Sequence, residues 1–120
     1  MIAELPQAND GNFDQMVFSD PLPAMVEFFS PMCPHCRRMA PTIAAVARDY
    51  AGRVRVIQVN APQSATLGKR FGIRGVPTML FFAGGIEVDR LIGESPREIL
   101  EAHLNQVLGQ SEQKTAATGS

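Results

Sequence analysis

The chain has 120 residues, 45% of them hydrophobic, which suits one compact domain with one apolar core. Its 11 basic and 12 acidic residues leave a formal charge of −1, so we expect it to bind neither nucleic acid nor an anionic membrane. The richest apolar run, residues 79–83, is too short to cross a membrane, and the first residues lack a signal-peptide pattern. We therefore expect a cytoplasmic protein, or a periplasmic one if a leader has been removed.

The first half of the chain predicts two strands and two helices. Residues 1–5 are expected to form an edge strand, and the apolar spacing within residues 13–17 favours a short helix. Residues 25–29 are typical of a buried strand, although that strand contains one acidic residue, Glu27. Apolar residues then recur at intervals of three and four as far as Tyr50, which predicts a helix that begins at the two cysteines.

The second half predicts three strands and a short helix before a final helix. Residues 54–59 form a β-branched run typical of a buried strand, and residues 65–71 favour a short helix. Two further strands are predicted over residues 78–82 and 86–92. Gly84 and Gly85 between them favour a hairpin turn.

The final helix is predicted from its first turn, in which the capping residue Ser95 is followed by Pro96 and Glu98. Its apolar positions end at Leu108, and the polar residues 109–120 are predicted to be a disordered tail, which limits the domain to residues 1–108. The order β-α-β-α-β-α-β-β-α predicts an α/β fold. We expect a central mixed sheet of four to five strands with four helices on its two faces.

The two cysteines, Cys33 and Cys36, are separated by two residues. A disulfide across so short a loop stabilises a fold very little, so reactivity is the better reason for the pair. At the N-terminus of a helix, backbone N–H groups favour negative charge, which lowers the pKa of the first thiol. Cys36, one turn later, can attack a mixed disulfide. The pattern therefore predicts Cys33 as the nucleophile and Cys36 as the resolving thiol.

Two segments resemble the thioredoxin family. Residues 26–41, which include Cys33-Pro-His-Cys36, are similar to the active-site segment of thioredoxins, and residues 71–78, Phe-Gly-Ile-Arg-Gly-Val-Pro-Thr, are similar to the second signature of that family. The resemblance extends over residues 13–108. It implies a thioredoxin-like fold and exchange of dithiols and disulfides with protein substrates, without a bound cofactor. It also implies a monomer that receives electrons from a thioredoxin reductase.

The resemblance further implies roles for single residues. Pro77 should have a cis peptide bond and lie against the disulfide, and the backbone of Val76 should bind an extended substrate peptide. Gly93 should keep the floor of that groove low. Glu27 occupies the position of a buried carboxylate behind Cys36, where burial should raise its pKa and let it take the proton of that thiol.

The chain also departs from the thioredoxin pattern. The residues between the cysteines are Pro34 and His35, the pair found in the oxidant DsbA, instead of Gly-Pro. Both are candidates for tuning the redox potential upward, with His35 stabilising the thiolate. Met32 replaces an aromatic residue and is a candidate substrate contact. Gln58 stands where thioredoxins commonly have a lysine beside the buried carboxylate.

The favoured interpretation is a thioredoxin-type protein-disulfide reductase with a raised reduction potential. A DsbA-like oxidant or isomerase outside the cytoplasm is the alternative, although the chain lacks the large helical insertion of DsbA. A non-catalytic binding module with the same fold is a third. No metal site is expected, because one Cys-x-x-Cys pair supplies two ligands of the four that zinc needs, and His35 and His103 are poor candidates for the others. His35 could instead be a simple exposed loop residue.

Overall fold

The structure is a computed structural model that describes the backbone of residues 5–119 and the side chains of residues 5–110. Within this part of the chain there are five strands, four α-helices and one short 3-10 helix. In chain order they are β1 (Gln7–Ala8), α1 (Phe13–Phe18), β2 (Ala24–Phe29), α2 (Pro34–Asp49), β3 (Arg55–Asn60), the 3-10 helix (Ala61–Gln63), α3 (Ala65–Arg70), β4 (Thr78–Ala83), β5 (Ile86–Ile92) and α4 (Arg97–Gly119).

The five strands form one mixed sheet in the order β1-β3-β2-β4-β5, which confirms the predicted fold class. β1 and β2 run parallel to β3, whereas β4 is antiparallel to both β2 and β5. Parallel neighbours need crossover connections: α2 connects β2 to β3, and the longer connection from β1 to β3 includes α1. The hairpin predicted at Gly84 and Gly85 joins β4 to β5, and both glycines have positive φ angles of 63° and 81°.

Successive residues of the central strands face opposite sides of the sheet, and each side has its own apolar cluster. In β2, Met25 packs with residues of α2 and α4, whereas Val26 and Phe28 pack with residues of α1 and α3. Glu27 therefore faces the side of the sheet that α2 covers. This alternation places the one acidic residue of the strand beneath the helix that carries the cysteines.

The two ends of the chain differ most from the sequence-based expectations. Residues 1–4 of the predicted first strand lie outside the described residues; within the described residues, the edge next to β3 is formed by β1 at Gln7–Ala8, which was not predicted. A disordered tail was expected from residue 109, whereas α4 continues to Gly119. Residues 110–118 contain no glycine or proline and include alanine, glutamine, glutamate and lysine, which favour a helix even where no apolar face is present. That the packed domain ends at residue 108 stays a prediction.

Candidate active site

Cys33 lies at the junction of β2 and α2, where it is the N-cap residue of the helix. Its backbone is extended, with φ −86° and ψ 120°, and Pro34 takes the first helical position, which needs no N–H donor. The Cys33 N–H donates to the Ser30 carbonyl at 3.1 Å, and its own carbonyl accepts from Arg37 N–H at 3.1 Å. The turn and the first hydrogen bond of the helix thus fix the position of Cys33.

The two thiols differ strongly in acidity. The pKa of Cys33 is lowered, chiefly by the backbone N–H of Cys36 and also by the Cys36 thiol, the His35 N–H and the charge of Arg38. Burial raises the pKa of Cys36 to about 11, since only 5% of this residue is exposed. Of the two thiols, Cys33 is therefore the one that loses its proton more readily.

The loop before β4 lies against Cys33. The Val76–Pro77 peptide bond is cis, as the resemblance to thioredoxins implies. The Cys33 thiol lies 3.7 Å from the Val76 carbonyl oxygen, and the Gly93 N–H donates to the Pro77 carbonyl at 2.8 Å. Gly93 has a φ of +95°, which a residue with a side chain rarely adopts. The structure thus brings together Cys33, Val76, Pro77 and Gly93, although 60 residues separate the first from the last.

Glu27 is buried behind the cysteine pair, with 1% of its surface exposed. Its carboxylate accepts one hydrogen bond, from the Gln58 side-chain amide at 2.8 Å. Burial raises the pKa of Glu27 and the Gln58 contact only partly opposes this effect. The charge of Glu27 in turn contributes to the raised pKa of Cys36, so the two groups interact. This is the placement that the resemblance implies, while the proton-transfer role of Glu27 stays a prediction.

His35 and Arg38 meet a residue that the sequence analysis missed, Glu94. His35 Nδ1 lies 2.8 Å from Glu94 Oε1, and Arg38 Nη2 donates to the same oxygen at 3.0 Å. These contacts lower the pKa of Glu94. The sequence signal for Glu94 is its position directly after Gly93, which the resemblance had already placed beside the site.

Two exposed apolar side chains belong to residues next to the site in the chain. Met32, directly before Cys33, is 81% exposed, and Ile92, directly before Gly93, is 70% exposed. Ile92 is the strand partner of Thr78, next to Pro77. Large exposed apolar residues beside a reactive group indicate a surface that contacts another molecule. Met32 was a candidate from the sequence, whereas Ile92 was not.

The second histidine belongs to a different part of the molecule. His103 Nδ1 pairs with Asp89 Oδ2 at 2.5 Å, and its ring stacks on Phe81 with centroids 5.7 Å apart. Within the described residues no group of three or more His, Cys, Asp or Glu could hold a metal ion. In the same part of the chain, no helix has the length and apolar character needed to cross a membrane.

Comparison with known proteins gives a consistent result. A family model described as Thioredoxin matches residues 4–106, which include the cysteine pair and the cis-proline loop. The chain is 35% identical over 102 residues to a thioredoxin of Porphyra purpurea, a match that covers 85% of this chain and 95% of that protein. It is 34% identical over 103 residues to a thioredoxin of Synechocystis, with 86% and 96% covered. It is also 36% identical over 105 residues to a chloroplastic thioredoxin M4 of Arabidopsis thaliana, with 88% and 54% covered.

Proposed function

Since this chain belongs to the thioredoxin family and is a thiol–disulfide oxidoreductase of that type, we propose that it reduces disulfides of protein substrates and has a reduction potential above that of thioredoxin. The observation that carries the proposal is the contrast between the two thiols. Cys33 has a lowered pKa at the helix N-terminus, 3.7 Å from the Val76 carbonyl, while the buried Cys36 has a pKa raised to about 11. This difference gives the two cysteines different roles in exchange.

In the first step, the Cys33 thiolate attacks one sulfur of the substrate disulfide. A bond forms between Cys33 Sγ and that sulfur, the substrate disulfide breaks, and the other substrate sulfur leaves as a thiolate. The substrate peptide lies across Val76 and Pro77, whose backbone groups flank Cys33. Gly93 leaves room for the peptide backbone, and Met32 contacts its side chains. Because the cis-proline loop and the helix N-terminus are both fixed by hydrogen bonds, this geometry exists before substrate binds.

In the second step, Cys36 attacks Cys33 Sγ and releases the second substrate sulfur as a thiolate, which takes up a proton. Glu27 accepts the Cys36 proton, because burial raises the pKa of the carboxyl and so makes the carboxylate a stronger base. The protein has then lost two electrons and forms the Cys33–Cys36 disulfide, and the substrate has gained two electrons as two thiols. A thioredoxin reductase returns the protein to its dithiol form. We propose that the protein works in this cycle as a monomer in the cytoplasm.

The raised potential follows from thiolate stabilisation. Any group that stabilises the Cys33 thiolate stabilises the reduced protein, which makes the disulfide the better oxidant. The Pro34-His35 sequence differs from the usual Gly-Pro, and the His35 N–H is one of the groups that lower the pKa of Cys33. Each tenfold change in the exchange equilibrium corresponds to about 30 mV. We therefore expect a potential above about −270 mV but below the roughly −120 mV of DsbA.

Reduction of insulin disulfides, with thioredoxin reductase as electron donor, tests the reaction itself. Cys33→Ser should abolish the activity, and Cys36→Ser should accumulate a mixed disulfide with the substrate. Glu27→Gln should slow release from the mixed disulfide more than the first attack. If the wild type reduced insulin no faster than Cys33→Ser, the protein would instead be a non-catalytic binding module.

Replacement of Pro34-His35 by Gly-Pro tests the potential. The reduction potential, measured by equilibration with glutathione, should fall, and the pKa of Cys33 should rise with it because both depend on the same thiolate. Faster oxidation of a reduced peptide than reduction of insulin would favour the DsbA-like oxidant. If the dipeptide exchange left both quantities unchanged, His35 would have no part in the redox tuning.

A further inference from the structure

Three side chains from two separate elements meet next to Cys33. His35 and Arg38 lie on the first turns of α2, and Glu94 lies in the loop between β5 and α4. The Arg38 guanidinium forms a fork on the carboxylate: Nε lies 3.3 Å from each oxygen and Nη2 lies 3.0 Å from Oε1. His35 Nδ1 completes the cluster, at 2.8 Å from both Glu94 Oε1 and Arg38 Nη2.

Glu94 is attached to the part of the site that is already rigid. Its neighbour Gly93 donates its N–H to the Pro77 carbonyl at 2.8 Å, and the residue before Pro77 contacts the Cys33 thiol. The Glu94 backbone is thereby fixed relative to the cis-proline loop. Arg38, in contrast, has a long side chain that is 56% exposed and that no residue other than Glu94 and His35 is seen to hold within the described part of the chain.

Several titratable or charged side chains lie around the cysteine pair. On α2 these are His35, Arg37 and Arg38, on the β5–α4 loop there is Glu94, and below α2 the Glu27 carboxyl lies behind Cys36. Of these, Arg38 is the cation whose charge lowers the pKa of Cys33. Glu94 contacts the Arg38 guanidinium directly and raises its pKa; since arginine is charged in any case, the effect of this contact is on where the charge lies. Glu94 can therefore affect the pKa of Cys33 indirectly, through its contact with Arg38.

We propose that Glu94 is a positioning residue, which holds the Arg38 guanidinium beside the N-terminus of α2 so that its positive charge stays near the Cys33 thiolate. Without this contact the flexible arginine side chain gains rotamers that extend into solvent, where water and salt screen its charge. The inference rests on the proposed role of Cys33 as the attacking thiolate. It adds that a residue outside both thioredoxin-like segments sets the reactivity of that thiolate.

The test is the pH dependence of iodoacetamide alkylation of Cys33 in the reduced full-length protein. In Glu94→Ala the midpoint should move to higher pH. The alkylation rate below that midpoint should fall about threefold, the size of effect that one exposed charge pair produces. Glu94→Gln keeps a hydrogen-bond acceptor without the charge and should lie between Glu94→Ala and the wild type. Glu101→Ala, which breaks an ion pair of 2.8 Å with Arg97 on α4, is the control and should leave the profile unchanged.

A double variant separates positioning from a direct effect of the carboxylate. Arg38→Ala should also slow alkylation, and adding Glu94→Ala to it should change the rate little further, because the group that Glu94 positions is already gone. Effects that multiply in the double variant would overturn the proposal. So would a move of the Glu94→Ala midpoint to lower pH, which would mean that the carboxylate opposes the thiolate. If instead wild-type Cys33 itself titrates like a free thiol, the proposed function fails before the Glu94 variants are considered.

Discussion

Replacing Glu27 with glutamine should remove one pH-dependent loss of stability from the reduced protein. Glu27 is 1% exposed, and burial raises the pKa of its carboxyl above the ordinary value. Glutamine has nearly the same shape and keeps an oxygen that can accept the Gln58 hydrogen bond, which measures 2.8 Å in the wild type. The substitution therefore changes the ionisation of this position more than its packing.

The sign and size of the effect follow from proton linkage. Because the folded-state pKa is raised, the contribution of Glu27 to stability is fully present below the unfolded-state pKa of about 4.3 and is lost as the pH rises through the folded-state pKa. Between these two values the folded protein holds one proton that the unfolded chain has released. The free energy of unfolding then falls by up to about 1.4 kcal/mol per pH unit. Glu27→Gln lacks this loss. The difference in free energy of unfolding between the variant and the wild type should therefore shift in favour of the variant as the pH rises, and level off above the folded-state pKa of Glu27.

Urea unfolding of the reduced wild type and variant from about pH 4 to about pH 8 measures this difference. Glu98→Gln, which neutralises an exposed carboxylate on α4, serves as the control and should run parallel to the wild type. The pH at which the Glu27→Gln advantage levels off reports the folded-state pKa of Glu27. If the Glu27→Gln curve also ran parallel to the wild type, the carboxyl would have an ordinary pKa, and its proposed strength as a base toward Cys36 would be refuted.

Three further outcomes are expected. With a pKa of about 11, only about one Cys36 in 10⁴ is a thiolate at neutral pH. Peptide mass spectrometry should therefore find iodoacetamide on Cys33 first. Earlier labelling of Cys36 would reverse the assignment of nucleophile and resolving thiol. Gln58→Lys places a cation beside Glu27 and should lower the pKa of that carboxyl. In the urea series, the fall in the free energy of unfolding with pH should then level off at a lower pH than in the wild type. Levelling off at the same pH would contradict this. Ile43→Ala empties a fully buried position on the inner face of α2 and should reduce the free energy of unfolding by about 2–5 kcal/mol. A loss below about 1 kcal/mol would contradict the packing.

Much of the site was predictable because its main parts lie in two short, locally defined segments. A strand followed by Cys33-Pro-His-Cys36 and a helical pattern already implies a thiol at a helix N-terminus, and the resemblance of the second segment to the thioredoxin signature implied the cis bond at Pro77. Glu27 was recognisable as a candidate because burying a carboxylate within an apolar strand is energetically costly, so its presence there indicates a function. The local patterns predicted the strand, the helix and the thiol between them, and the resemblance supplied the places of Pro77 and Glu27.

Glu94 and Ile92 were missed for the opposite reason. The contacts of Glu94 join residues 56 and 59 positions apart in the chain, and no local pattern indicates which exposed carboxylate will meet Arg38. The sequence shows Ile92 only as the last residue of a predicted strand. Its position next to the cis-proline loop depends on the strand register, which pairs it with Thr78. The strand β1 was missed for a similar reason, because only two of its residues pair with β3 and their identity sets no register.

Cys33 and Cys36, which carry the two steps of the proposed exchange, lie one helical turn apart. Cys33, at the N-cap, faces solvent, the cis-proline loop and the charged cluster around Glu94, so the groups that govern attack are exposed. Cys36, three residues later, is buried against the sheet, and the carboxyl proposed to accept its proton, Glu27, is buried as well and bonded to the half-buried Gln58. Screening by salt weakens interactions between exposed charges far more than interactions between buried ones. The first step of exchange is therefore the one open to ionic strength and surface substitution, while the resolving step depends on the packing of the fold.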